Sequence, residues 1–302
     1  MSARSRSISQ IPLNAPHNSD APPRRWSIHL AIIAAFPIFV GIVGWGRNYT
    51  IHEPALSHGT RGLLVTCAVE LLLFSVIFGF AWLASRASKD DLLLRWRNGF
   101  WIIPIGIGYS VALRIILAIV IGVLGGVLIL SKILTPEQLQ HFVVANRPEV
   151  ESLVDISALR NNPAYFWLTI TLVSFVIGGF REELWRIAFV AGLQKIWPNP
   201  FASRAGQFLA VFIAAVLFGL GHLAQGLLGV CLTGILGFLL GVIMILHRSI
   251  WPAVIAHGRS PLIAGLESRY RQTKTRLAQP VKRYGAPLYS LIRRSNSSLP
   301  VM

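Results

Sequence analysis

Four ionisable side chains fall within the stretch Gly178-Gly179-Phe180-Arg181-Glu182-Glu183-Leu184-Trp185-Arg186, in an otherwise apolar part of the chain. On a helix this sets two carboxylates and two guanidinium groups within about one and a half turns. Glu182 and Arg186 stand at i,i+4 and share a face, so the arginine can hold one carboxylate ionised and oriented while the other is left free. A free carboxylate in partly desolvated surroundings is a candidate general base. Further along, Leu217-Phe218-Gly219-Leu220-Gly221-His222 places Phe218 and His222 at i,i+4 at the end of an apolar helix, aiming an imidazole toward a bundle interior. A third group, Trp251-Pro252-Ala253-Val254-Ile255-Ala256-His257-Gly258, starts a helix with proline near its first turn and buries His257 about a turn and a half later. Singly, each has a bland reading: paired charges in a solvated turn, or a hydrogen-bonded core histidine. A glutamate pair and two histidines on three successive apolar helices are harder to account for in that way and mark a candidate functional site.

The elements that carry these residues are membrane helices. Of 302 residues, 54% are hydrophobic and 13% charged, a balance that leaves a water-soluble fold nowhere to put its apolar surface. Crossing a hydrocarbon core of ~30 Å takes about 20 helical residues. Apolar stretches recur at Leu30 to Trp45, Gly62 to Ser85, Phe100 to Leu130, Ala164 to Phe180, Ile187 to Trp197, Gly206 to Leu220, Leu223 to Leu246 and Ile250 to Leu266. None has the short in-and-out alternation of a transmembrane β-strand. The expected fold is an all-α, polytopic transmembrane bundle of eight spans, with Ile187 to Trp197 counted as a short, tilted crossing. Ionisable groups inside such spans are costly and mark functional sites. Arg114, within the third stretch, is read as structural.

The net charge of +16 gathers at the ends, at Arg4, Arg6, Arg24 and Arg25 and again from Arg269 to Arg294. The positive-inside rule then places both termini in the cytoplasm, in a cell inner membrane, and requires an even number of crossings. The loop Arg86 to Arg97 fits the inside, and Ser131 to Pro163, with Glu137, Glu149, Glu151 and Asp155, fits the outside. Four regions result: a disordered basic leader at 1–27, an N-terminal transmembrane region at 28–163, the motif-bearing core at 164–266 and a basic tail at 267–302. The tail interleaves bases with Tyr270, Leu277, Tyr284 and Leu288 and suits anionic lipid, whereas no folded reading module supports nucleic acid as a partner. Cys67 and Cys231 lie in apolar segments and read as packed free thiols. His52-Glu53-Pro54-Ala55-Leu56 starts like a zinc-protease helix, but it holds proline and lacks the second histidine.

The order and spacing of the three polar groups resemble the CAAX prenyl protease and bacteriocin-processing family of intramembrane proteases, also called type II CAAX proteases. The resemblance covers Ala164 to Leu266. That family carries EExxxR, then FxxxH, then a histidine followed four residues later by Asn or Asp. Phe218 to His222 matches the second motif, and His257, after Ser249-Ile250-Trp251-Pro252-Ala253, resembles the histidine of the third. The first motif is one residue shorter here, so either Glu182 takes the second-glutamate role with Arg181 replacing the first, or the helix adjusts locally. Pro261 stands where the third motif has Asn or Asp, with Ser260 beside it.

The resemblance implies hydrolysis of a peptide or lipidated-protein substrate at the membrane. Glu182 or Glu183 would draw a proton from water, and His222 and His257 would orient that water or donate to the tetrahedral oxyanion, with Arg186 and Phe218 in support. The resemblance also leaves zinc formally open, with two His and a Glu as ligands, but no metal and no cofactor is the expectation, because the glutamate serves better as a base. Two other readings stand beside it. One is a non-catalytic, peptide-binding member of the same fold, favoured by Pro261 and the shortened motif. The other is a proton-coupled transporter, disfavoured because the polar groups fall in one half of the chain only.

Overall fold

The computed structural model describes residues 21–47, 59–97, 99–145 and 154–258. Residues 1–20 of the leader, His52 to Leu56, Glu149, Glu151, Ser260, Pro261, the remainder of the last apolar stretch and the tail at 267–302 lie outside the described residues.

Among the described residues every regular element is helical. The longer helices are α1 (Pro23–Arg47), α2 (Gly59–Ser85) and α3 (Ile102–Leu130), the last entered through a 3-10 turn at Gly99–Trp101. Two short helices follow, α4 (Pro136–Ala145) and α5 (Ile156–Asn161). Then comes α6 (Pro163–Leu168), which passes through a π-helical segment, Thr169–Arg181, into α7 (Glu182–Ile196). The short α8 (Pro198–Phe201) leads to α9 (Arg204–Leu220) and α10 (Gly226–His247). A final helix, α11, is described over residues 251–258.

Local chemistry explains several boundaries. Asn162 caps α6 by accepting from the Tyr165 N–H, with Pro163 just inside the helix, where its missing N–H costs nothing. Ser203 caps α9 through the Gly206 N–H, and Asp155 caps α5 through that of Ala158. At the end of α10, Arg248 takes a left-handed conformation (φ 50°) that closes the helix, so α11 begins only a few residues later.

Four helical runs are long and apolar enough to cross a membrane: α2, α3 with its leading turn, the 34-residue run Pro163–Ile196, and α10. The 17-residue α9 is a shorter apolar helix. Exposed Val65, Val69, Leu72 and Val76 on α2, with Ile115, Ile119, Leu124 and Val127 on α3, give these helices apolar outer faces suited to lipid. The chain is an integral membrane protein, and its described residues form an all-helical bundle. One expectation changes. Ala164 to Phe180 and Ile187 to Trp197 are not separate crossings, because the helix runs unbroken from Pro163 to Ile196. The charged residues at its centre are tolerated without a turn since each has a partner, as described below. Among the described residues the eight expected stretches thus fall on seven helical runs, four of them long and apolar enough to cross a membrane, and the expected count of eight is not reproduced.

The centre of the bundle is α7, in which every side chain from Glu183 to Leu193 is buried. Helix α1 is pinned to it twice: Trp185 Nε1 donates to the Ile33 carbonyl at 2.8 Å, and His29 sits with Nδ1 2.9 Å from the Ala81 carbonyl and Nε2 3.1 Å from that of Ala188. The loop 86–97 ties α7 and α11 to one anchor. Lys195 meets Asp91 at 3.0 Å, Ser249 Oγ donates to the Arg95 carbonyl at 3.0 Å, and Trp251 Nε1 donates to that of Leu94 at 2.9 Å.

Candidate active site

The site forms where the π-helical segment becomes α7 and α11 crosses it. The segment is rich in β-branched residues and carries Gly178-Gly179 near its end, composition that weakens the ordinary helical preference. Such i→i+5 geometry is uncommon and tends to occur at functional sites. Two glycines permit the close crossing. A Cβ on Gly179 would lie 3.0 Å from the Val254 carbonyl oxygen, and one on Gly258 would fall 2.4 Å from the Phe175 ring. Their absence lets α11 lie directly on the π-helical segment and brings His257 over the start of α7.

There, His257 Nδ1 donates to Glu183 Oε1 at 3.0 Å. Glu183 Oε2 accepts from Arg186 Nη1, and both members of this pair are fully buried. Glu182 lies alongside: its Oε2 is 3.7 Å from His257 Nε2, and its Oε1 is 3.5 Å from Arg181 Nη2. Arg181 also donates from Nη1 to Glu70 Oε2 of α2 at 3.0 Å. The glutamate that Arg186 holds is therefore Glu183, at i,i+3, and not the expected i,i+4 partner Glu182. Both spacings are neighbours on a helix, so tertiary packing decides between them.

Arg186 is anchored by its surroundings as well. Its guanidinium carbon stands 4.4 Å from the centroid of the Phe218 ring, and Gly237 of α10 leaves room for it. Arg186 Nε and Nη2 have no hydrogen-bond partner among the described residues. Phe218 links onward to His222, the two rings being 4.6 Å apart. His222 Nδ1 donates to the Phe218 carbonyl at 2.8 Å, so a neutral His222 presents an acceptor at Nε2 and only its imidazolium form could donate there.

The tautomer of His257 follows from the same reasoning. With Nδ1–H given to the Glu183 carboxylate, a neutral ring carries its lone pair on Nε2, facing Glu182. The structure thus brings together Glu182, Glu183, His257 and Arg186, and joins His222 to them through Phe218. Glu70 is the residue that sequence reasoning missed. Its signal was available, since it is an acid in the interior of a 27-residue apolar helix.

Fold and site together define an all-helical membrane protein with a buried acid-histidine cluster at its centre. Residues 163–260, about a third of the chain, match the family model of the Type II CAAX prenyl endopeptidase Rce1-like proteins. No curated protein and no solved structure matches the chain. The matched segment contains Glu182, Glu183, Arg186, Phe218, His222 and His257, whereas Glu70 lies outside it.

Proposed function

We propose that the protein is an intramembrane endopeptidase that hydrolyses a peptide bond in a membrane-associated or lipidated peptide, using water activated by Glu182. The observation that carries this reading is the placement of His257 between the two glutamates, Nδ1 on Glu183 and Nε2 facing Glu182. Two acceptors 3.7 Å apart can both receive hydrogens from one water, which turns a lone pair of that water outward for attack on a carbonyl. Glu182 takes the proton as the bond to carbon forms. It then returns a proton to the leaving amine, and the C–N bond breaks. Glu183 keeps the His257 ring in the tautomer this needs, and Arg186 holds Glu183. His222, as its imidazolium, donates from Nε2 to the oxyanion, a contact worth about 3 to 4 kcal/mol when well placed.

No metal and no other cofactor is proposed. The donor set argues against zinc, because both Glu183 oxygens are engaged by Arg186 and His257, and Arg181 puts a second cation beside Glu182. Membrane lipid and the peptide substrate are the partners we infer. The basic loop 86–97 supports a cytoplasmic position for that face, and the Arg and Lys content of the two ends supports the same for both termini, in a cell inner membrane. A second reading, a non-catalytic peptide-binding member of the fold, draws support from Arg181 Nη2 lying 3.5 Å from Glu182 Oε1, where it competes for the proposed base.

The deciding experiment is cleavage of a fluorogenic peptide panel, with and without a lipid-modified cysteine, by purified protein in liposomes. Glu182→Ala, Glu183→Ala, His222→Ala and His257→Ala are compared with the wild type, each with and without chelator. Activity lost in all four and insensitive to chelation supports the proposal. Activity retained by all four rules the site out, and chelator sensitivity restores zinc. An inactive but folded wild type that binds the peptides favours the second reading.

A further inference from the structure

We infer that Glu70 is a positioning residue for this site, contributed by α2 from outside the segment matched to the endopeptidase family. The inference rests on the reading of Glu182 as the base. Five contacts form an unbroken chain of alternating partners across three helical runs: Glu70 to Arg181 at 3.0 Å, Arg181 to Glu182 at 3.5 Å, Glu182 to His257 at 3.7 Å, His257 to Glu183 at 3.0 Å, and Glu183 to Arg186. Its inner end is fixed, because Glu183 and Arg186 are fully buried and packed on all sides. Its outer end is not self-fixing. Arg181 is a long side chain with one guanidinium nitrogen directed at Glu182, and its direction is set by what the other nitrogen holds. That partner is Glu70, whose carboxylate accepts from Nη1 while Nη2 faces Glu182 Oε1.

Two physical arguments give Glu70 more than a neutralising role. An acid inside an apolar helix costs several kcal/mol unless it is paired, so its presence in α2 calls for a compensating interaction, and Arg181 supplies one. Further, an Arg181 without Glu70 would have Glu182 as its remaining anionic partner in these contacts. It would swing fully onto that carboxylate and draw it away from the 3.7 Å approach to His257. Glu70 therefore divides the hold of Arg181, leaving Glu182 Oε2 free to receive water. Helix α2, which carries none of the site residues read from the sequence, becomes the element that keeps the base available.

The test pairs kinetics with a stability cycle. Glu70→Gln is expected to lower kcat about ten- to a hundredfold with KM within about twofold, since misplacement of a reacting group acts on the chemical step. Glu70→Asp, which keeps the charge, is expected to recover most of that loss, and Glu182→Gln serves as the control. If Glu182→Gln is inactive while Glu70→Gln matches the wild type, the inference fails and the reading of the site stands. If Glu182→Gln is fully active, the reading of the site fails, and the inference about catalysis with it. Thermal unfolding needs no activity. Glu70→Gln and Glu182→Gln should be coupled, the double variant losing more than the two singles together, and the coupling should vanish in an Arg181→Met background. Additive losses in the native background would overturn the shared hold of Arg181 whatever the kinetics show.

Discussion

His257 Nδ1 donates to one oxygen of the Glu183 carboxylate, and Arg186 donates to the other, so α11 is joined to α7 through an ion pair that is wholly buried. Removing either charge strands its partner away from water. Arg186→Met is expected to cost about 3 to 5 kcal/mol of stability, as for other broken buried pairs. Glu183→Gln combined with Arg186→Met removes both charges and should recover much of that loss. Thermal unfolding of the singles and the double in detergent checks this, and a double as unstable as Arg186→Met alone would show that the pair is not the source.

The assignment of Glu182 as the base makes a kinetic demand. Glu182→Gln keeps the shape and loses the proton acceptor, so kcat should fall by about 10²- to 10⁴-fold with little change in KM. Steady-state cleavage in liposomes gives both numbers. A raised KM with an intact kcat would instead make Glu182 a substrate contact.

Much of this site was legible before the fold was known, and the reason is cost. Charged side chains in apolar helices stand out because few positions tolerate them, and Glu182, Glu183 and Arg186 were identified on that ground. Two things were not legible. Helical spacing pointed to Glu182 as the partner of Arg186, whereas the arginine holds Glu183, since i,i+3 and i,i+4 are both near and the choice depends on where α11 crosses. Hydropathy, in turn, could not tell that residues 163–196 form one helix, because the polar centre of that run looks like a turn when its partners are unknown. Glu70 illustrates the same limit: its partner Arg181 is distant in sequence, and one acid in a long apolar stretch barely lowers the mean hydropathy.

The crossing of α11 over the π-helical segment makes neighbouring glycines unequal. At Gly178 a Cβ would meet the Val173 carbonyl at an ordinary 3.5 Å, so Gly178→Ala should be neutral or stabilising by up to about 1 kcal/mol through helix propensity. At Gly179 the same methyl would lie 3.0 Å from the Val254 carbonyl oxygen and 3.3 Å from that of Ser174, both backbone atoms that cannot rotate away. Gly179→Ala is therefore expected to cost about 1 to 3 kcal/mol and to push His257 off Glu183, lowering kcat as well. Melting temperature and cleavage rate, measured for both variants, test the contrast; equal behaviour would mean the close crossing is not required.

A last prediction concerns acid. Burial alone would push the Asp91 carboxyl up, but hydrogen bonds from the Ser88 side chain and backbone, together with Lys195 at 3.0 Å, outweigh it and hold the group below the usual aspartate range. A carboxyl whose folded value lies below its unfolded value stabilises the fold at pH above the unfolded value of about 3.9, and that contribution is lost as pH falls through the folded one. Asp91 anchors the loop that also carries the contacts to Ser249 and Trp251, so the loss loosens the seat of α11. Asp91→Asn should cost about 1 to 2 kcal/mol near neutral pH, the lower end being set by the partial exposure of Lys195. As pH falls below the unfolded value of about 3.9 the wild type's advantage should shrink, and the two proteins converge once the pH has passed below the depressed folded value, because each then lacks the charge. Melting temperatures of both from pH 6 to pH 3 read the gap directly. A gap that persists unchanged at pH 3 would place the effect in hydrogen-bond geometry and not in the ionised carboxylate.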